Sequence, residues 1–133
     1  MNKTKIAYAC HPYTTYGLES NNKQRARLVQ KELLKNNYAV INPLEIVPCG
    51  LNWKDAMEVC MRLLEKSDIL IICSDDWIHS EGCIAEVKWA IDNNKPIYRF
   101  VAVVNQAYKL ENFDIEKFKK YIENRDKMTM SYK

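Results

Sequence analysis

The chain has 133 residues, 47% of them hydrophobic and 28% charged, and a formal net charge of +3. That length fits one domain that buries roughly two-thirds of its unfolded surface without disulfide or metal staples, and the balance excludes a disordered chain. Basic residues are interspersed with acids, and even the densest basic spot, residues 117–120, is flanked by Glu116 and Glu123, so no nucleic-acid partner is expected.

The N-terminus leads straight toward a strand-like segment with no signal-peptide core, and no run of about 18 apolar residues occurs anywhere. A cytoplasmic protein with no membrane partner is the expectation. Residues 5–10 read as the first strand. Ser20 then caps a helix over about 21–35, in which Ala26, Val29 and Leu33 recur at helical spacing. Residues 38–42 form a second strand, stopped by Pro43. Trp53, Ala56, Met57, Cys60, Leu63 and Leu64 make the clearest amphipathic stripe in the chain and predict a second helix.

The unbroken apolar run of residues 69–73 is what a parallel strand buried on both faces requires. Residues 82–93 predict a third helix and 96–104 a fourth strand. Asp114 caps a last helix whose Ile115, Phe118 and Ile122 share one face. Strands alternating with helices imply an α/β fold, a three-layer flavodoxin-like or Rossmann-like sandwich with a mainly parallel sheet of four to five strands. The domain is expected to span residues 1–125, leaving 126–133 as a tail. Neither GxGxxG nor a Walker A motif occurs.

Chemistry is expected where strands end and helices begin. If the first and third strands are neighbours, Tyr8, Cys10, His11 and Tyr13 come near Asp75, Asp76, Trp77 and Ser80. Trp77, Tyr13 and Tyr16 offer flat faces for a base. Ser80 and the free N–H groups around Gly82 offer a seat for a phosphate or hydroxyl, although Ser80 also reads as a plain helix N-cap. Glu86 has Gly82, Cys83, Trp89 and Ala90 as helical neighbours and no cation among them, unlike a surface glutamate. Burial would raise its pKa and the helix N-terminus would lower it. Asp68 stands at the entrance of the third strand, where a structural role is also open. The five cysteines (Cys10, Cys49, Cys60, Cys73, Cys83) are odd in number, scattered and without a CxxC pair, so neither a disulfide framework nor a metal site is expected, only buried free thiols.

Several segments together resemble the nucleoside 2-deoxyribosyltransferase-like superfamily, which includes deoxynucleoside 5′-monophosphate N-glycosidases and related small phage and bacterial proteins. They are Ile6-Ala7-Tyr8-Ala9-Cys10-His11-Pro12-Tyr13, Ile41-Asn42-Pro43, Ser67-Asp68-Ile69-Leu70-Ile71, the series Trp77, Ser80, Gly82, Cys83, Glu86 and Ala90, and Lys95-Pro96-Ile97. The resemblance implies that Glu86 is a nucleophile attacking the anomeric carbon of a sugar, with Tyr8 and Asp68 assisting. It implies that Ser80, six residues before Glu86, meets the 5′ end with Gly82. Remaining substrate contacts are expected from His11, Tyr13, Trp77, Asp75 and Asn42. The first loop departs from the glycosidases in having one glycine and no basic residue other than His11, which leaves free nucleosides open beside monophosphates. The implied activity is cleavage or transfer at the N-glycosidic bond of a (2′-deoxy)nucleoside or its monophosphate, with no cofactor and with a homodimer or larger homo-oligomer as the assembly. A silent nucleotide-binding protein using the same cleft is the alternative.

Overall fold

Apolar residues in the strands alternate between two destinations, and that alternation builds the molecule. The computed structural model describes residues 4–12, 19–47, 51–101, 103 and 108–131. Within them, strands β1 (Ile6–Cys10), β2 (Ala39–Ile41), β3 (Ile69–Ile72), β4 (Ile97–Val101) and β5 (Lys109–Asn112) form one sheet in the order β2-β1-β3-β4-β5. The pairings β1 with β2, β1 with β3 and β3 with β4 are parallel, and β5 closes the edge antiparallel to β4. The helices are α1 (Glu19–Lys35), α2 (Pro43–Ile46), α3 (Trp53–Glu65), α4 (Glu81–Asp92) and α5 (Ile115–Ser131), with a 3-10 helix at Asp75–His79.

Successive side chains of a strand point to opposite faces. Ala7, Ala9, Ile69, Ile71 and Cys73 therefore share one cluster with Val29 and Leu33 of α1. Tyr8, Cys10, Leu70 and Ile72 face the other way, against Leu64 of α3, Ile84 and Val87 of α4 and Phe118 of α5. All four residues of β3 are buried, as its apolar run requires. The result is the expected three-layer, flavodoxin-like α/β sandwich. From β1 the chain goes to one side of the sheet for β2 and to the other for β3, which makes the adjacent C-terminal ends of β1 and β3 a topological switch point.

Differences from the expected elements have local causes. Asn42 leaves the second strand because its Oδ1 accepts a hydrogen bond from Leu44 N at 3.1 Å and caps α2, with Pro43 in the first helical turn where a missing N–H is tolerated. The polar loop after β3 winds into the 3-10 helix. Helix α5 continues past Arg125 to Ser131, through the segment expected to be a tail.

Trp77, expected to present its ring to a ligand, is instead buried in an aromatic cluster. Its ring centroid lies 5.6 Å from that of Phe113 and 5.6 Å from that of Phe118. This cluster fastens α5 over the 3-10 helix, and Arg125 of α5 adds an exposed ion pair to Glu81 at 3.2 Å. Exposed pairs of that kind are worth less than about 1 kcal/mol, whereas removing a buried aromatic costs about 3–5 kcal/mol. Trp77→Ala should accordingly lower the urea midpoint by an amount equivalent to about 3–5 kcal/mol with little change in slope. A loss below about 1 kcal/mol would show that Trp77 does not carry the α5 contact.

Candidate active site

At the switch point the sheet leaves a cavity of about 490 Å³ between the strand ends, α2, the first half of α3 and the start of α4. Its polar lining is Tyr8, His11, His79, Ser80, Glu81 and Glu86, and its apolar wall includes Leu44, Val47, Leu51 and Met57. The fold delivers each polar group by a simple local rule. Tyr8 projects to the α4 side because it sits at an even position of β1, and His11 follows the last β1 residue. Ser80 accepts a hydrogen bond from Cys83 N at 3.2 Å and caps α4, which fixes where Glu86 falls on that helix.

Glu86 is 4% exposed, on the helix face that also buries Cys83, Val87 and Ala90. One carboxylate oxygen, Oε1, accepts a weak bond from the Cys10 thiol at 3.8 Å. The other, Oε2, has no hydrogen-bond partner. Burial pushes its pKa up from 4.5 to about 7, against smaller downward pulls from Tyr8 and Cys10. Of the two influences expected from the sequence, desolvation is the one that sets the direction. Tyr8 is close enough to influence the carboxyl, yet its Oη finds no partner at hydrogen-bonding geometry. Burial, then the neighbouring Glu86, drives the Tyr8 phenol well above its ordinary value, so it stays a donor.

His11 is also buried, with Nε2 unpartnered. Burial lowers its pKa to about 4, with Arg25 adding to the drop and Asp76 opposing it, so the imidazole is neutral at pH 7. Buried unpartnered polar atoms are rare and each calls for an explanation. Here the three among the described residues, Tyr8 Oη, His11 Nε2 and Glu86 Oε2, all belong to residues lining one cavity.

Tyr8, His11, Ser80, Gly82 and Glu86 thus line the cavity as expected. Other expected residues stand elsewhere. Asp68 precedes β3 at the opposite end of the sheet, where Oδ2 accepts a 2.7 Å bond from Ile6 N. Four strand residues, about 13 Å of extended chain, separate it from the end where Cys10 pairs with Ile72 and meets Glu86. It ties β3 to β1 and cannot assist Glu86. Asp75 is exposed and lies 3.5 Å from Arg99 of β4. Asn42 caps α2, and its neighbours Pro43 and Leu44, not its own side chain, reach the cavity. Tyr13 and Tyr16 lie outside the described residues.

The wall from α2 and α3 was not anticipated. Trp53, Ala56, Met57 and Cys60 form the first half of the amphipathic stripe and face the cavity, while Leu64 packs on the sheet. From Trp53 to Leu64 a helix rises roughly 16 Å, further than the short strands beneath it, so its first turns overhang their ends. Gly82 keeps α4 close to this wall, since a Cβ there would stand 3.2 Å from Met57 Sδ.

A buried carboxyl near a strand end, sharing one cavity with a phenol and a neutral imidazole, makes the switch point of this α/β fold a candidate reactive or ligand-binding site. The family model described as Domain of unknown function (DUF4406) matches residues 11–99, and the chain belongs to that family. The matched span covers His11 and the Ser80–Glu86 segment but not Tyr8 or Cys10. A search of curated proteins finds no match. No helix among the described residues is long and apolar enough to cross a membrane.

The two buried groups titrate in opposite senses. Between its unfolded value of 4.5 and its folded value of about 7, Glu86 holds a proton that the unfolded chain has released, so its contribution to stability falls as pH rises through that window. His11 lacks, between about 4 and 6.5, a proton that the unfolded chain binds, so its contribution rises with pH. In the native protein they nearly cancel. In Glu86→Gln the falling part is gone, and the stability of the variant relative to the native protein should grow by about 1.4 kcal/mol per pH unit through the Glu86 window, levelling off near 3 kcal/mol or about that order. Urea unfolding at about pH 4.5, 6 and 8 measures this. A difference that stays constant with pH would mean that the carboxyl titrates normally.

Proposed function

We propose that this protein cleaves or transfers the N-glycosidic bond of a nucleoside, with Glu86 as nucleophile. The observation that carries the reading is the Glu86 carboxyl itself: buried, with one oxygen unpartnered, beside Tyr8 at the inner end of a cavity large enough for a nucleoside. The resemblance to nucleoside 2-deoxyribosyltransferase-like enzymes supports the same residue in the same role.

The chemistry follows from the desolvation. A carboxylate held out of water is raised in energy, and an oxocarbenium-like sugar carbon placed against Oε2 returns that energy in the transition state. The C1′–N bond breaks with its electron pair leaving on the base, which takes up a proton from solvent, while Glu86 bonds to C1′; the water or second base that later attacks C1′ returns a proton to solvent. Water then attacks C1′ and releases Glu86 as carboxylate, giving hydrolysis, or a second base does so, giving transfer. Tyr8, protonated across the working range, stands beside the carboxyl with its Oη free to donate to a bound substrate. Ser80 and Gly82 meet the 5′ end of the sugar, and the wall of Leu44, Val47 and Met57 packs on the base.

No Lys or Arg occurs among the described lining residues, which favours a neutral nucleoside over its 5′-monophosphate. Leu51 and Trp53 at the rim are exposed apolar residues suited to cover by a second copy of the chain in a homo-oligomer.

The test is release of free base, followed by chromatography, from a panel of 2′-deoxynucleosides and their 5′-monophosphates. Nucleosides should be turned over faster than monophosphates, kcat/KM should rise with pH through about 7 as Glu86 ionises, and Glu86→Gln should lose at least about 10³-fold in kcat. No base release from any member of the panel, together with nucleoside-dependent stabilisation of the fold, would replace catalysis by binding alone. Absence of both would remove the nucleoside reading.

A further inference from the structure

Cysteines far apart in the chain converge on the Glu86 carboxyl. Cys10 ends β1, Cys83 lies one helical turn before Glu86 on α4, and Cys60 comes from α3 and is near enough to be influenced by Glu86 and Cys83. Cys10 Sγ, Cys83 Sγ and a Glu86 carboxylate oxygen all lie within 4.8 Å of one another. We propose that Cys10, Cys83 and Glu86 form a three-ligand site for a soft divalent cation of the zinc type, with the fourth coordination position open to the cavity.

Geometry supports the ligand set. With metal–sulfur bonds of about 2.3 Å and metal–oxygen bonds of about 2.0–2.2 Å, tetrahedral coordination separates sulfur and oxygen by about 3.5 Å. Cys10 Sγ and Glu86 Oε1 are already 3.8 Å apart, so that pair closes by a few tenths of an ångström, and the remaining separations are at most 4.8 Å. Glu86 Oε2 supplies the independent sign of a missing ligand, being unpartnered on a side chain that is 4% exposed. The ligands stand on rigid elements, two of them at helical i, i+3 spacing, and Cys83 and Glu86 line the cavity through which a cation enters. The Cys73 thiol, although near enough to interact with Cys10 and Cys83, is engaged by the Ile71 carbonyl, to which it donates at 3.2 Å. Two thiolates select zinc or cadmium over magnesium or calcium.

Binding replaces the two S–H protons, and the carboxyl proton where present, which pass to solvent. A bound cation takes up the carboxylate lone pairs, so it would block attack on carbon. The proposal stands apart from glycosyl transfer because its test reads the metal alone.

The reduced full-length chain is titrated with Co²⁺, then with Zn²⁺ as competitor. The expected result is one cobalt per chain, with the visible d–d bands of a tetrahedral site and a thiolate-to-cobalt charge-transfer band, both removed by zinc. X-ray absorption on the zinc-loaded native chain should count two sulfur neighbours, the remainder being oxygen or nitrogen. Cys10→Ala and Cys83→Ala should each weaken binding by about 100-fold or more, Glu86→Gln by about tenfold or more, and Cys73→Ala should leave it unchanged. The proposal is overturned by the absence of saturable cobalt binding, by a sulfur count other than two, or by binding that survives in the Cys10→Ala/Cys83→Ala double variant. The sulfur count uses native protein only, so it decides even where a cysteine variant fails to fold.

Discussion

Holding a carboxyl group out of water is the constraint around which this molecule is arranged. An ionised carboxylate taken into an apolar interior without partners costs several kcal/mol and is ordinarily neutralised. Glu86 meets that cost halfway, with a pKa near neutrality and a single weak thiol contact. What keeps it in place is position. Ser80 sets the start of α4, the apolar residues Ile84, Val87 and Ala90 lock the helix against the sheet, and Glu86 is carried inward between them. The two strand residues that meet it, Tyr8 and Cys10, are themselves wholly buried and leave it no route to solvent except the cavity.

This arrangement explains why groups with ordinary structural duties also shape the site. Ser80 is a helix cap first, and its place at the cavity follows from that. Asn42 never reaches the cavity, yet by capping α2 and donating to Gln30 it holds the apolar wall of Pro43 and Leu44 in position. Asp68, at the far end of the sheet, ties the beginnings of β1 and β3 together, and the register so fixed brings Cys10 opposite Ile72 at the other end. Lining the cavity and fixing the strand register are divided between opposite ends of the same two strands.

Periodicity made the elements legible in the sequence. The apolar run of β3 and the stripe of α3 could only be a doubly buried strand and an amphipathic helix, and their order set the switch point. Glu86 was legible by what it lacked, a cationic helical neighbour. Trp77 was misplaced because residue type says nothing about which side of a loop faces a cavity, whereas Asp68 was rightly placed at the strand entrance and only the role implied by resemblance put it near Glu86. Trp77 turned inward because Phe113 and Phe118, more than thirty residues later, supply its packing partners, a contact no local pattern contains. The α3 wall was not legible as part of a cavity because a stripe that packs on the sheet and one that overhangs it have the same spacing. The clustering of cysteines escaped for the complementary reason: CxxC spacing detects ligands that are neighbours in sequence, whereas Cys10 and Cys83 are brought together by β1 and α4.

The two-fold pleat of β1 has an evolutionary corollary. Odd positions 7 and 9 pack on the face covered by α1, and even positions 8 and 10 on the face covered by α3, α4 and α5, where the cavity lies. The strand thus carries two messages on one thread, one governing how α1 seats and the other what surrounds the Glu86 carboxyl. Substitutions at positions 8 and 10 can explore new chemistry without disturbing the opposite layer, while a single inserted or deleted residue within β1 would exchange the two messages and erase both at once. A one-residue change in the length of β1 should therefore damage the fold far more than a substitution of similar size at position 8 or 10.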